Sequence, residues 1–294
     1  MDKKVKNNNV ESFPKVSINW FPGHMQKAIR EIKEKISLID VVYLIVDARI
    51  PFSSSIPNIK EIVGNKPILY LLNKASLADP IMTKKWINHY ETEGFFALDI
   101  DAITGYNLNK IESKTKEILK EKIEAKLKKG LKTVITRAII VGIPNSGKST
   151  LINKISKRRA AQVGDKPGIT KAQQWIKVGN GLELLDTPGI LWPKFDNSIG
   201  INLGITGAIK DEVLPLDVIA NEAIIFLDKY YPNLLKKRYQ IEYDNFDLEI
   251  FYKEVSVKRG CLLNGDIDYN RINRLILKDL RDNLIGRITI DQNV

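Results

Sequence analysis

The feature that most constrains the fold of this chain is a glycine-rich stretch near its middle, with the sequence GIPNSGKS at residues 142–149. It matches the phosphate-binding pattern G-x-x-x-x-G-K-[ST] at every fixed position. An apolar run over residues 137–141 precedes it, and a helical pattern beginning at Thr150 follows it. This context favours a strand, a phosphate loop and a helix over the alternative of a purely structural glycine turn.

The residue types of this stretch suit the triphosphate tail of a nucleotide. Glycine lets backbone N–H groups close around phosphate oxygens, and the start of the following helix adds favourable potential. Lys148 is expected to reach the β- and γ-phosphates and to serve catalysis there, and the Ser149 hydroxyl is expected to bind Mg²⁺. We therefore predict nucleotide contacts for Asn145, Ser146, Gly147, Lys148, Ser149 and Thr150.

A second motif, D-T-P-G at residues 186–189, follows an apolar strand pattern. There Asp186 can hold Mg²⁺ through water, and Gly189 can offer its N–H to the γ-phosphate. Thr170 lies between the two motifs, where a loop would bring it onto the metal in the triphosphate state and give it a part in catalysis. The alternative is that Thr170 is an ordinary turn residue.

An Asn-Lys pair at residues 73–74 precedes the phosphate loop, whereas in ordinary guanine-nucleotide switches the base-reading N-K-x-D segment follows it. Ser76 stands where that pattern has an Asp, and losing a charge-assisted hydrogen bond costs roughly 1.5–3 kcal/mol, or about ten- to a hundredfold in affinity. Asp79 could swing in instead. Asp101-Ala102 stands where a backbone N–H normally meets guanine O6. We predict base contacts for Asn73, Lys74, Ser76, Asp101 and Ala102.

Short apolar runs alternate with helix-period stretches in the first two thirds of the chain. The runs are 41–46, 67–72, 95–98 and 137–141, and the helical stretches are 25–38, 80–91 and 107–129. Two further strands, 173–178 and 182–186, precede helical stretches near 216–230, 246–259 and 270–284. This order predicts an α/β nucleotide domain with a mostly parallel sheet over residues 17–202, a flexible lead-in at 1–16, and a smaller all-helical domain at 203–294.

The charge of the chain is unevenly distributed. Residues 1–202 hold 33 Lys+Arg against 20 Asp+Glu, while residues 203–294 hold 13 against 15. This favours a polyanionic partner met mainly by the first part, with generic solubilising charge as the alternative. The single Cys261 excludes an internal disulfide, and no apolar run reaches the roughly eighteen residues of a membrane span. We expect a cytoplasmic protein with neither a membrane nor DNA as a partner.

The motifs together resemble the ribosome biogenesis GTPase A family, bacterial circularly permuted GTPases that assist late maturation of the large ribosomal subunit. The shared segments are WFPGHM at 20–25, VDARIP at 46–51, NK at 73–74, GIPN at 142–145, DTPGILWPKF at 186–195, TGAIKD at 206–211 and KRG at 258–260. The chain departs from the family at Ser76, in place of Asp, and at Asp101-Ala102, where a small polar pair is more frequent.

The resemblance carries expectations about mechanism. Ile190 stands where many GTPases have a Gln that orients water, and the family resemblance implies that His24 acts instead; a structural His is the alternative. The resemblance also implies that Asn145 holds a K⁺ ion beside the phosphates. The expected cofactors are GTP or GDP, Mg²⁺ and K⁺, and the expected partner is the large ribosomal subunit, with its rRNA and proteins.

Two readings of function follow. The first is a GTP hydrolase that binds the immature large (50S) subunit, turns over slowly until the particle stimulates it, and is released on hydrolysis. The second, favoured only by Ser76, is a nucleotide-sensing RNA-binding or ribosome-binding module with weak catalysis or relaxed base specificity.

Overall fold

The computed structural model describes residues 24–156, 174–179, 181–191 and 195–294. The strands are β1 Val41–Asp47, β2 Ile68–Asn73, β3 Phe96–Asp99, β4 Thr136–Gly142, β5 Gln174–Val178, β6 Leu182–Asp186, β7 Leu262–Leu263 and β8 Asp266–Ile267. The helices are α1 His24–Lys35, α2 Ile59–Val63, α3 Pro80–Thr92, α4 Leu108–Ile118, α5 Lys120–Lys128, α6 Lys148–Ile155, α7 Asn197–Ile205, α8 Leu216–Tyr230, α9 Pro232–Tyr239, α10 Leu248–Arg259 and α11 Tyr269–Arg281. None of these described helices has the length and apolar character to cross a membrane.

Six of the described strands form one sheet in the order β3-β2-β1-β4-β6-β5. Its neighbouring strands are parallel except at the β5–β6 edge, which is antiparallel. The predicted α/β class with a mostly parallel sheet is therefore confirmed. Because parallel strands end at a common edge, the residues that follow β1, β2, β3, β4 and β6 converge there.

Strand β1 lies at the centre of the sheet and is buried along its whole length. Val42, Leu44 and Val46 pack in the core of one sheet face, against residues of α1, α2 and α3. The intervening Val41, Tyr43 and Ile45 pack in the core of the opposite face, against residues of α4 and α6. A strand covered on both faces is an uninterrupted apolar run, which is why the sequence pattern revealed it.

A third core joins α7, α8, α9, α10 and α11 in the C-terminal part of the chain. Ile50, Ile143 and Leu191, from the nucleotide part, are buried in the same core. This part is not helical throughout, because β7 and β8 form a short antiparallel hairpin. Residue 202 lies inside α7, and the division of the chain at residues 202 and 203 remains a prediction.

The stretch predicted as one helix at 107–129 is two helices in the structure. Helix α4 ends at Ile118, and α5 begins at Lys120. Leu119 between them is buried in the sheet core, whereas α5 buries none of its residues. The break therefore keeps Leu119 in the core and leaves the lysine-rich α5 mostly on the surface, where Ile123 is partly buried against the same core.

Candidate nucleotide-binding site

The phosphate loop, residues 142–149, connects the end of β4 to the start of α6. Its glycines are required by close approaches. A Cβ on Gly142 would lie 2.5 Å from the backbone oxygen of Ile45 on the neighbouring strand. Gly147 has a φ of +95°, which favours glycine. The loop therefore leads into the N-terminus of α6, whose free N–H groups and dipole attract anions.

The side chain of Lys148 lies inside this loop. Its Nζ donates to the carbonyl oxygens of Gly142, at 2.9 Å, and Ile143, at 2.7 Å. Burial lowers the pKa of this ammonium to about 8, and the nearby Asp186 carboxylate opposes that shift. The ammonium is thus buried and held by two backbone carbonyl oxygens of the loop, a position consistent with the role predicted for Lys148 towards phosphate oxygens.

Asp186, at the end of β6, is a buried carboxylate whose two oxygens have no hydrogen-bond partner among the described residues. Burial raises its pKa to about 6, and Lys148 opposes the rise. A buried anion without donors is costly unless a cation or water reaches it. The arrangement therefore fits a metal ion that Asp186 holds directly or through water.

The D-T-P-G segment lies directly against the phosphate loop. The Thr187 hydroxyl donates to the carbonyl oxygen of Ile140 at 2.6 Å, and the Ile190 N–H donates to that of Gly142 at 3.0 Å. A Cβ on Gly189 would lie 2.9 Å from the nitrogen of Pro144. Only glycine allows this close approach, and it brings the Gly189 backbone to the phosphate end of the site.

Asn73, at the end of β2, joins the base-reading segment to the phosphate loop. Its Nδ2 donates to the Ser146 carbonyl oxygen at 2.7 Å, and its Oδ1 accepts the Ala102 N–H at 3.0 Å. Residues more than seventy positions apart thus meet at one amide. The structure places the Asn-Lys segment beside the phosphate loop despite the rotated chain order. Because the Ala102 N–H is engaged here, its predicted contact with guanine O6 remains a prediction.

Lys74 has a φ of +62°, and its Nζ lies 2.9 Å from Asp47 Oδ2 at the end of β1. Arg49 holds the same carboxylate through Nε, at 3.0 Å, and Nη2, at 2.7 Å. Burial alone would raise the pKa of Asp47, but Arg49 and Lys74 hold it well below its ordinary value. No motif assigned Asp47 and Arg49 to the site; the D-A-R triplet at the end of a buried strand was a sequence signal for them.

Ser76 lies beside Asp101, across the gap between the loops that follow β2 and β3. The Ser76 hydroxyl donates to Asp101 Oδ2, and the Ser76 N–H approaches the same oxygen at 3.4 Å. Asp79 is engaged elsewhere, since its Oδ1 accepts the Ile81 N–H at 2.8 Å at the start of α3, and its Oδ2 accepts from the Tyr231 hydroxyl at 3.1 Å. Asp79 therefore does not occupy the position of the missing Asp.

The phosphate loop also contacts the C-terminal part of the chain. Asn145 has a φ of +59°, and its Nδ2 donates to the Gly207 carbonyl oxygen at 3.1 Å. Arg49 Nη2 donates to the neighbouring Thr206 carbonyl oxygen at 3.2 Å. Residues 206–207 are thus held by both the phosphate loop and the end of β1.

A segment that we call the C-terminal strap, residues 287–291, contacts residues 74–79 after β2, which we call the base-reading loop because they contain Lys74 and Ser76. Arg287 donates to the carbonyl oxygens of Ala75 and Ala78, each at 2.8 Å. The Ile288 N–H donates to Leu77 O at 3.1 Å, and the Ile290 N–H donates to Arg49 O at 2.6 Å. No sequence motif indicates these contacts.

Two of the predicted site residues, His24 and Thr170, have no described side chain. His24 begins α1, and its side chain is outside the described part of the structure, as are Thr170 and the segment 192–194. Ser149 and Thr150 lie in the first turn of α6, beside Lys148. The roles of His24 and Thr170 therefore remain predictions.

Comparison with known proteins follows the same motifs. The family model described as "50S ribosome-binding GTPase" matches residues 137–244. Proteins named ribosome biogenesis GTPase A are similar over 94% of this chain: one from Bacillus licheniformis is 50% identical and covered over 98% of its length, and one from Thermotoga maritima is 31% identical and covered over 94%. Two solved structures of YlqF cover 90% of this chain and are themselves covered over 99% and 97% of their length. The GDP-bound structure has a TM-score of 0.62 at 27% identity, and the GNP-bound structure from T. maritima has 0.59 at 29%. With the base-reading segment, the phosphate loop and the D-T-P-G segment assembled in rotated order, this chain belongs to the ribosome biogenesis GTPase A family.

Proposed function

We propose that this protein binds GTP, hydrolyses it on the immature large ribosomal subunit late in assembly, and leaves the particle after hydrolysis. The observation that carries the proposal is the Asn73 side chain, which bonds both Ser146 of the phosphate loop and Ala102 of the base-binding side. One pocket can therefore hold the base and the phosphates. The printed names of the relatives, and the 50S-binding description of the family model, support the ribosomal setting.

The phosphate end of the pocket fits Mg²⁺. Asp186 offers two buried oxygens without hydrogen-bond partners in the described structure, and the Ser149 hydroxyl lies in the first turn of α6. These two residues would hold the ion, joined by Thr170 in the triphosphate state. When bound, Mg²⁺ neutralises charge on the β- and γ-phosphate oxygens. Lys148 supplies a second positive charge from inside the loop.

Asn145 is the residue that would hold K⁺. Its amide nitrogen is used in the bond to Gly207, which orients the side chain and leaves Oδ1 as the ligand atom. A monovalent cation beside the phosphates stabilises the charge that develops as the γ-phosphoryl leaves. Exchange of K⁺ for Na⁺ is expected to slow hydrolysis, because a smaller ion fits the same ligands poorly.

Activation of the attacking water is the step of hydrolysis that we expect the free protein to perform least well. Ile190 is apolar and only 1% exposed, so it can neither orient nor deprotonate a water molecule. His24, at the start of α1, is the residue that we assign to this task. We infer that the ribosomal particle orders it, so that turnover stays slow in free protein.

The helical part would sense the nucleotide through direct contacts. Asn145 bonds Gly207, and Leu191, two residues after Gly189, is buried in the helical core. A change at the γ-phosphate can thus reach α7 and its neighbours without an intervening domain. The expected result is a change in the affinity of the protein for a large partner. The excess of positive charge in residues 1–202 suits contact with rRNA phosphates.

The test is GTP turnover with and without purified large subunits, in K⁺ and in Na⁺ buffers. We expect at least about tenfold stimulation by the particles and faster turnover in K⁺. A Lys148→Ala variant serves as the inactive control. Equal rates with and without subunits would contradict the proposal.

The alternative function, a nucleotide-sensing module with relaxed base choice, is favoured only by Ser76 at the position of the guanine-reading Asp. It predicts that wild-type protein binds GDP and ADP alike. It also predicts that Ser76→Asp creates a guanine preference where none existed.

A further inference from the structure

We propose that Asp101 restores guanine selectivity by acting through Ser76: it takes the hydrogen of the Ser76 hydroxyl and leaves that oxygen able only to accept hydrogen bonds from the base. Asp101 is then a positioning residue, and Ser76 is the group that contacts the base. The inference rests on the proposed function only in that the pocket binds a guanine nucleotide.

The two side chains are arranged for this role. Ser76 is half-buried at the fourth position of the Asn-Lys segment, whereas Asp101 is only 3% exposed behind it. The Ser76 hydroxyl donates to Asp101 Oδ2. The other carboxylate oxygen, Oδ1, accepts the N–H groups of Ile103 and Thr104, each at 2.9 Å. The carboxylate is thus fixed in orientation, with Oδ2 facing Ser76.

Asp101 stays charged in this environment. Burial raises its pKa, but hydrogen bonds from Ser76, Thr104 and Ile103 outweigh burial and bring it below the ordinary value. A charged carboxylate cannot donate a hydrogen, so the hydrogen between the two groups belongs to Ser76. Charge assistance strengthens this bond and keeps the hydroxyl hydrogen turned away from the base.

A serine hydroxyl has one hydrogen and two lone pairs. With its hydrogen held by Asp101, Ser76 presents only lone pairs to the pocket. The Watson–Crick edge of guanine offers N–H donors at N1 and at the 2-amino group, and both can bond such an oxygen. Adenine has a lone pair at N1, which would face the lone pairs of Ser76 without a hydrogen between them. The pair therefore favours guanine without a carboxylate at position 76.

Other groups near the base are engaged. Asp79 bonds the start of α3 and Tyr231, and the Lys74 ammonium pairs with Asp47. The Ala102 N–H bonds Asn73. Ser76 with Asp101 behind it is therefore the group to which we assign the distinction between guanine and adenine.

The test measures equilibrium affinities for GDP, IDP, XDP and ADP by competition with a fluorescent GDP analogue. For wild-type protein we expect GDP to bind most tightly. IDP, which lacks the 2-amino group, and XDP, which has an oxygen there, should bind more weakly, and ADP weakest. Asp101→Asn can donate an amide hydrogen to Ser76 and frees its hydroxyl hydrogen. GDP affinity should fall about tenfold while ADP affinity stays unchanged or rises.

Ser76→Ala removes the acceptor itself and should cause a similar loss for GDP alone. The double variant should lose no more than either single one, because both act through one oxygen. Adding Ser76→Asp to Asp101→Asn puts a carboxylate on the base directly and should restore GDP preference. Asp99→Asn is the matched control: its carboxylate accepts from Tyr106 and Asn107 at the end of β3, and its loss should leave the GDP-to-ADP ratio unchanged.

Wild-type protein that binds GDP and ADP equally would overturn the inference. So would Asp101→Asn and Ser76→Ala variants that lose GDP and ADP affinity by the same factor. If Asp101→Asn does not fold, the half-exposed Ser76→Ala variant decides alone. These equilibria do not involve hydrolysis. Guanine selectivity without turnover would contradict the proposed function and leave the role of Asp101 intact. Turnover without base selectivity would contradict the role of Asp101 and leave the proposed hydrolysis intact.

Discussion

At the scale of single residues, Asn73 joins the segments that we assign to the base and to the phosphates. Its one amide bonds both Ala102 and Ser146, which lie 29 and 73 positions later in the sequence. Its Nδ2 would lie only 2.2 Å from a Cβ atom placed on Gly147. The phosphate loop and the base-reading loop are thus packed so tightly at this point that a methyl group does not fit.

Gly147→Ala is expected to lower GDP affinity by about a hundredfold or more. It forces alanine into a φ of +95° and pushes its methyl group against Asn73, which must leave its bond to Ser146. Gly94→Ala is the control, because Gly94 also has a positive φ of +79° but no atom within 4 Å of the added methyl. It should cost about 1 kcal/mol of stability and no affinity. Similar GDP affinities for the two variants would contradict this account.

Asp186 makes a pH-dependent prediction. Its carboxylate has a pKa of about 6 instead of 3.8, mainly through burial, so ionisation above pH 6 opposes folding of the nucleotide-free protein. The difference corresponds to about 3 kcal/mol, absent below pH 3.8 and fully present above pH 6. Relative to wild type, Asp186→Asn should gain stability as the pH rises from 4.5 to 7.5. Thermal unfolding of both proteins without Mg²⁺ across that range measures it, and a constant difference would contradict it.

At the scale of secondary-structure elements, the ends of β1 and β2 are joined through one carboxylate. Asp47 accepts two side-chain hydrogen bonds and one backbone hydrogen bond from Arg49 and pairs with Lys74, and Arg49 also donates to Thr206. The carboxylate is nearly inaccessible, so both cations depend on it. The base-reading loop is therefore held to the central strand by charge as well as by the sheet.

Asp47→Asn should lower the free energy of unfolding by about 3–5 kcal/mol, because it leaves Arg49 without a charged partner in a buried site. Asp40→Asn, at the other end of β1, is the control. Its partner Lys122 is 47% exposed, so the loss there should be about 1 kcal/mol. Urea unfolding followed by circular dichroism compares the two, and equal losses would contradict the special role of Asp47.

The sequence predicted some secondary-structure elements correctly and missed others. Strand β1 is an unbroken apolar run because both its faces are covered, and β2 and β4 were predicted for the same reason. The break at Leu119 was missed because neither Gly nor Pro marks it. The β7–β8 hairpin did have a signal, the Asn264-Gly265 pair, whose φ values of +52° and +92° suit a tight turn.

The sequence predicted those parts of the candidate site that lie within recognisable motifs. Fixed spacings identified the phosphate loop and the D-T-P-G segment, because backbone geometry there requires particular residues. The pairing of Ser76 with Asp101 lies outside any motif, since it depends on how two loops from neighbouring strands meet. The strap was invisible for a similar reason: its main-chain bonds to Leu77 and Arg49 do not require particular side chains.

At the scale of the whole molecule, the strap ties the helical part to the base-reading loop. Asp291 accepts from the N–H of Ser53 at 2.8 Å and from its hydroxyl at 2.7 Å, and its carbonyl oxygen accepts from Trp86 Nε1 at 3.0 Å. With the Arg287 bonds to Ala75 and Ala78, these contacts hold the loops after β1 and β2. The pocket is thus supported by residues more than two hundred positions away.

Arg287→Ala is expected to loosen the base-reading loop without unfolding the protein. Amide hydrogen exchange at residues 74–79 should accelerate, and GDP affinity should fall about tenfold, because two carbonyl groups of that loop lose their shared donor. Arg274→Ala on α11, whose partner is the exposed Asn270, is the control. Unchanged exchange at residues 74–79 would contradict the supporting role of the strap.

The boundary between the neighbouring strands β1 and β4 divides the sheet into two parts, one from each side of residues 129–133 in the chain. The residues that we assign to the base precede β4 in the chain, and those that we assign to the phosphates follow β1–β3. The exposed residues 129–133 connect the two halves. A protein cut there would yield two fragments, each with half a binding site and one bare apolar strand. Guanine nucleotide would contact both fragments at once and so hold them together. The fold could therefore serve as a template for a split reporter that reassembles only when its ligand is present.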